Sequence, residues 1–221
     1  MRQGPSLTQW DGELLLSIND FINTSVIMAG MDRNSIIALP NPHLRQTSQR
    51  VGVITDDVKK LIADMKKATI DWEEHRDQEV AVGLAAVQVD RLTRVVLIRN
   101  DFEDAADKKF IVFINPEIVK NIGPVEEDYE GCLSVPDIYG KVPRYQGVKV
   151  KALNEDGKPF RVTAYGFLAR LLQHEVDHCQ GRVFIDHIKG KKDAFFRLQD
   201  EGGLKPLDYY KEIKNNKDLW E

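Results

Sequence analysis

The chain has 221 residues, 42% of them apolar and 30% charged, with a formal net charge of -4. That length suits one domain with a substantial core, and the composition excludes a disordered or fibrous chain. Lysines and arginines are scattered rather than clustered, which argues against nucleic acid as the main ligand, and no apolar run approaches a bilayer span.

In chain order, residues 1–30 contain Leu14, Leu15 and Leu16 but neither a lysine-rich start nor a small-residue cleavage site. Their Asp11, Glu13 and Asp20 are out of keeping with an organelle transit peptide. Residues 1–35 are therefore read as an extension of a cytoplasmic protein. Ile36-Ile37-Ala38-Leu39 then runs into Pro40-Asn41-Pro42, where two prolines force an extended or turning path. The main domain is expected over 36–190.

Thr55 is placed to cap a helix, Asp56 and Asp57 suit its positive first turn, and Val58, Leu61, Ile62, Met65 and Trp72 fall on one face. Strand patterns follow at Val95–Ile98, Phe110–Ile114, Val148–Leu153 and Pro159–Val162, the last two flanking a turn at Asp156-Gly157. A second helix runs from about Phe167 through Leu168, Leu171 and Leu172 to His178, with Gly181 placed to stop it. Residues 191–221 read as a tail, with a frayed helix as one reading. The order helix, strands, helix predicts an α+β fold, with mixed or antiparallel sheets around a central helix that carries the motif described next.

That helix contains His174-Glu175-Val176-Asp177-His178. Residues four apart lie one turn above each other, so two imidazoles face one metal while Glu175 can reach water bound to it. Composition alone gives about 0.02 expected chance matches to such a pattern. A helix burying two structural histidines is the plain alternative. Of the two cysteines, Cys132 sits in Glu130-Gly131-Cys132-Leu133-Ser134 and is the candidate third ligand. One thiolate and two imidazoles leave a fourth position open, as in catalytic rather than structural sites. The rival reading makes Cys132 a nucleophile. Val82-Gly83-Leu84-Ala85-Ala86-Val87-Gln88 offers small residues and a side-chain amide, and taken alone reads as a tightly packed helix start.

Together, Gly83-Leu84-Ala85-Ala86-x-Gln88, Glu130-Gly131-Cys132-Leu133-Ser134 and Gln173-His174-Glu175-x-Asp177-His178 resemble the three signature motifs of the peptide deformylases, in the family's order. Pro42-x-Leu44-Arg45, Val135-Pro136, Val142-Pro143-Arg144 and Gly181-x-x-Phe184-x-Asp186 extend the resemblance over roughly residues 36 to 188. One departure is Ala81, where the family's first motif usually opens with glycine; a methyl group there would narrow the channel or, if positive φ were needed, strain it.

The resemblance implies removal of the formyl group from formyl-methionine at the start of new polypeptides, with the ribosome as their source. It implies one divalent metal on Cys132, His174 and His178, Fe(II) first, with Zn(II), Ni(II) or Co(II) as others. Glu175 would be the general base and acid, with Gln88 and the Leu133 N–H meeting the developing oxyanion. By the same resemblance, peptide backbone would lie along Gly83 and Gly131, and the methionine side chain in a pocket of Val82, Phe167, Arg170 and Leu171, with Tyr139 near its mouth. Glu130 and Arg144 would pair beneath the cysteine segment. His43, His75, His187 and Cys179 match no ligand position. Two competing readings are a zinc peptidase, whose longer motif fails at Phe184, and a deformylase-like peptide binder without turnover.

Overall fold

The structure is a computed structural model and describes residues 30–76, 79–101, 104 and 106–221. The expected N-terminal extension, up to residue 29, lies outside the described residues. Helix α1, Asp56–Glu73, begins where expected: the Thr55 side chain accepts the Val58 N–H, and Asp56 and Asp57 occupy the first turn. Its apolar face buries Ile62, Met65 and Ala68.

Among the described residues, seven antiparallel strands form one sheet: β1 (Gly83–Ala85), β2 (Val95–Arg99), β3 (Phe110–Cys132), β4 (Val135–Leu153), β5 (Pro159–Tyr165), β6 (Phe195–Leu198) and β7 (Leu204–Pro206). Their order is β1-β2-β3-β4-β6-β7, with β5 pairing on β4. The long strand β4 is therefore shared: it pairs with β3 from Leu153 to Val135, with β5 over Gly147–Leu153, and with β6 over Ile138–Gly140. The expected strand at Phe110–Ile114 continues to Cys132, although most of its residues between Val119 and Tyr129 are exposed. Pairing with β4 holds that half in place. The segment read alone as a helix start is instead β1 followed by a 3-10 turn, Ala86–Val89.

Helix α2, Gly166–His178, is buried without a break from Ala169 to His178. It packs on one face of the sheet, where Ala169 and Leu172 meet Val96, Phe113, Val148 and Val150. On the other face α1 brings Ile62 and Met65 against Leu84, Leu97, Val112 and Ile114. β2, covered on both faces, is buried at all five residues. The chain leaves α2 at Gly181, which has φ +71° and whose missing Cβ would stand 2.5 Å from the Arg45 carbonyl oxygen.

Residues 191–221 carry β6 and β7, a π-turn at Tyr209–Ile213 and a short helix α3, Lys217–Trp220. Phe195, Ile213 and Leu219 form a third core cluster with Phe184 and Ile185. The Pro40-Asn41-Pro42 stretch turns as expected, into a 3-10 helix at Pro42–Arg45 whose His43 N–H is accepted by the Asn41 side chain. Arg45 ties this turn to Asp186 at 2.5 Å and to the Leu219 carbonyl at 2.9 Å. The elements belong to one compact unit, Met31–Glu221.

Candidate active site

The β3–β4 hairpin closes on Leu133 and Ser134, with Cys132 paired to Val135 across the turn. This tight turn presents Cys132 to α2, where His174 and His178 stand one helical turn apart with ring centroids separated by 4.9 Å. One donor atom from each of the three residues lies within 4.8 Å of the others. Cys132 Sγ is 3.2 Å from His178 Nε2.

The rings are oriented from behind. His174 Nδ1 lies 3.0 Å from Glu130 Oε2, which leaves Nε2 of His174 for the cluster. Glu130 also accepts from Arg144 at 2.8 and 3.0 Å and from Arg170 at 2.9 Å, so the expected ion pair is part of a larger buried network. Arg144 reaches Asp177 at 2.5 Å, and Asp177 meets His187 Nε2 at 2.6 Å. His187, which matches no ligand position, closes this chain of contacts. Gln173 staples α2 to β4 by donating to the Tyr145 carbonyl at 2.9 Å and accepting its N–H at 3.1 Å.

Burial would raise the Glu130 carboxyl, but the His174 hydrogen bond and the Arg144 guanidinium bring it far below the usual carboxylate range. Asp177 is held low in the same way, against its burial, by His187 and Arg144. Burial opposes a proton on His174, yet Cys132 and Glu130 draw one onto it, whereas burial and the His174 charge keep His178 neutral. A cysteine sulfur, a neutral imidazole and a second imidazole that competes for positive charge are a donor set that a cation satisfies. Its sulfur and nitrogen atoms suit a divalent transition ion and not calcium or magnesium. Nδ1 of His178 and Oε2 of Glu175 are buried without a hydrogen-bond partner among the described residues.

Burial pushes the Glu175 carboxyl up to about 7. Gly83 makes room for it: a Cβ on Gly83 would stand 2.5 Å from Glu175 Oε1 and 3.1 Å from Leu171. Gln88 is fixed at both ends of its amide, accepting the Ala85 N–H at 2.9 Å and donating to Ser134 Oγ at 3.1 Å and Cys132 Sγ at 3.5 Å. Ile37 N–H donates to the Gln88 carbonyl and Leu39 N–H to that of Ser134, so the first extended segment backs both motifs.

These groups line one cleft of about 280 Å³. Its walls hold every expected peptide-contacting residue: Val82, Gly83, Gly131, Tyr139, Phe167, Arg170 and Leu171. Gln88, Leu133, Cys132, His174 and Glu175 also face it, while His178 lies beneath, fully buried. Arg170 is more committed than expected, since its guanidinium also donates to the carbonyls of Val142, Glu126 and Asp128. Gly131 lets Tyr139 close over it: a Cβ there would meet that ring at 2.6 Å. Ala81 is buried in the wall without the feared strain, because the non-glycine residues with positive φ among those described are Asp90, Asn115 and Asp137.

Trp72, Glu79, Val80 and Tyr129 also line the cleft and were missed in the sequence. Trp72 had a helical-face signal only, and Glu79 none; its carboxylate accepts the Tyr139 hydroxyl at 2.8 Å and Arg76 at 3.1 Å, which makes a charged rim.

The polypeptide deformylase family model matches residues 33–194. A peptide deformylase 1 of Ralstonia nicotianae is 42% identical over 165 residues, covering 75% of this chain and 92% of that one. A peptide deformylase of Thermomicrobium roseum is 39% identical over 170 residues, 76% of this chain and 92% of its own. Among solved structures, a peptide deformylase from Synechococcus elongatus in complex with actinonin superposes with TM-score 0.63 at 35% identity, covering 71% of this chain and 80% of that one. One from Legionella pneumophila gives TM-score 0.61 at 39% identity, over 70% and 85% of the two chains.

Proposed function

This chain belongs to the peptide deformylase family, and from that premise we infer that it is a metal-dependent hydrolase removing the N-formyl group from formyl-methionine at the start of newly made polypeptides, with release of formate. The observation that carries the reading is the convergence of Cys132, His174 and His178 on one point of a cleft whose wall holds the buried Glu175 carboxyl, its Oε2 without a hydrogen-bond partner among the described residues.

Cys132, His174 and His178 would hold the ion, for which Fe(II) is our assignment by family resemblance, ahead of Zn(II), Ni(II) or Co(II). When bound, such an ion would supply Lewis acidity, which polarises a carbonyl and acidifies water. Glu175 takes the proton of the attacking water and hands it to the leaving amine nitrogen; a carboxyl lifted to about 7 by burial is matched to both transfers near neutral pH. Gln88 Nε2, held in place by its bonds to Ala85 and Ser134, and the Leu133 N–H donate to the formyl oxygen as charge gathers on it. Glu130 fixes the His174 ring through Nδ1.

The peptide lies extended along β1, which among the described strands pairs on one side only, with β2. Backbone recognition at Gly83 and Gly131 leaves most side chains unread, which suits a substrate class as varied as new polypeptides. The methionine side chain enters between Val82, Phe167, Arg170 and Leu171, and Tyr139 stands at the mouth. The ribosome is the source of such chains and the cytoplasm the compartment; no helix among the described residues is long and apolar enough to cross a membrane.

The test is formate release from formyl-Met-Ala by anaerobically purified, iron-loaded protein, beside Glu175→Ala and an unformylated control. Wild type should release formate, and Glu175→Ala should lose about 10²–10⁴-fold in turnover while retaining metal. No release at stoichiometric metal would leave a peptide binder in place of an enzyme.

A further inference from the structure

Behind the cleft wall a buried ion pair grips the main chain. Arg99, the last residue of β2, is 1% exposed, and its guanidinium bonds to Glu73, the last residue of α1. The same guanidinium donates to the Ala81 carbonyl at 3.3 Å and to the Asp107 carbonyl at 2.7 Å, and stacks 5.6 Å from the Phe110 ring centroid. Glu73 in turn accepts the Ala81 N–H at 3.2 Å and a bond from Lys108. Both polar groups of the Ala81 backbone are thus held by side chains, one of each charge.

A buried pair of this kind adds little net stability over well-packed apolar residues of the same volume. What it supplies is direction: a donor of Arg99 and an acceptor of Glu73 are aimed at the two backbone polar groups of one residue, Ala81. That residue precedes Val82 and Gly83, and Val82 is joined to the sheet by its carbonyl, which accepts the Arg99 N–H at 2.8 Å. Side chain and main chain of Arg99 therefore hold two successive residues of the wall. Neither Arg99 nor Glu73 lines the cleft.

We propose that Arg99 and Glu73 are positioning residues that fix Ala81, and through it the Val82–Gly83 wall, so that they set affinity for the peptide backbone of the substrate and not the chemistry at the formyl carbon. The kinetic part rests on the deformylase reading; the mechanical part does not. Without the clamp, the wall would sample positions from which an extended chain cannot pair with it, and binding would weaken in proportion to the time spent there.

The experiment uses the full chain carrying the double substitution Glu73→Met and Arg99→Met, which removes both charges while keeping volume. Amide hydrogen exchange should quicken by about tenfold at Ala81, Val82 and Gly83, and at position 99, whose N–H bonds to the Val82 carbonyl, and stay unchanged in the first half of β2 and in β3. With iron-loaded enzyme and formyl-Met-Ala-Ser, KM should rise about tenfold with kcat within about twofold of wild type. Unchanged exchange at Ala81–Gly83, or faster exchange spread evenly over β2 and β3, would overturn the proposal, as would a fall in kcat with KM unmoved. If the double variant does not fold, Arg99→Lys, whose single ammonium cannot serve Glu73, Ala81 and Asp107 together, is read by the same exchange comparison. Absence of formate release by wild type would sink the deformylase reading alone, and exchange would still decide the clamp.

Discussion

Replacing Glu130 with alanine strikes the most connected side chain beneath the site. Its carboxylate accepts four bonds of 2.8–3.0 Å, from Arg144 twice, Arg170 once and His174 once, and its side chain is 4% exposed. Removing one partner of a buried pair costs about 3–5 kcal/mol, because the partner charge stays buried. Arg144 keeps Asp177, and Arg170 keeps three carbonyls, so the lower end applies: about 3 kcal/mol. With a urea slope of about 2 kcal/mol per molar, the unfolding midpoint should fall by roughly 1.5 M. His174 also loses the acceptor that orients its ring, and metal affinity should drop about 10–100-fold. Urea titration followed by circular dichroism, and metal competition against a chelator, read the two effects separately. A loss below about 1 kcal/mol with unchanged metal affinity would refute the view that Glu130 organises the site.

Glu130 and Asp177 titrate below their ordinary range in the fold, so the unfolded chain takes up their protons first. The stability they supply is complete above about pH 5 and is lost as pH falls through about 4 and below; urea midpoints measured between pH 7 and 3 should fall, and less steeply in Glu130→Gln. Gly83→Ala should displace the Glu175 carboxylate, 2.5 Å from the new Cβ, and lower formate release by about a hundredfold, with metal content and melting temperature nearly unchanged. Gly181→Ala meets both positive φ and the Arg45 carbonyl, and should destabilise by about 1–3 kcal/mol, seen as a lower melting temperature without a change in KM.

The parts legible in the sequence were those whose signal is local. Thr55 and the period of α1, the turn at Asp156-Gly157, and the four-residue spacing of His174 and His178 are properties of short windows, and the structure carries each of them. The second half of β3 was not legible, because Lys120, Glu126, Glu127 and Asp128 have no buried face to produce alternation, and their strand exists through pairing with β4. Gln88 and Cys132 were found by pattern, but their contact at 3.5 Å, and the bond from Gln88 to the Ser134 hydroxyl, depend on a hairpin tip meeting a 3-10 turn 44 residues away. Glu79, Trp72 and the grip of Arg99 on Ala81 arise where α1, β1 and β2 come together, and no window contains all three.

The hairpin tip that carries Cys132 is closed by a two-residue turn, and the histidines ride on a helix that is regular on its own terms. Each piece is shaped locally, and they meet across a sequence separation of 46 residues between Cys132 and His178. An ion held by them, as proposed above, would act as a removable rivet across that loop, in the way a disulfide restricts an unfolded chain, and would bind only when tip and helix are docked. Stripping the ion should therefore loosen the seam between helix and hairpin before the sheet beyond it, so that loss of metal and loss of the substrate cleft are one event.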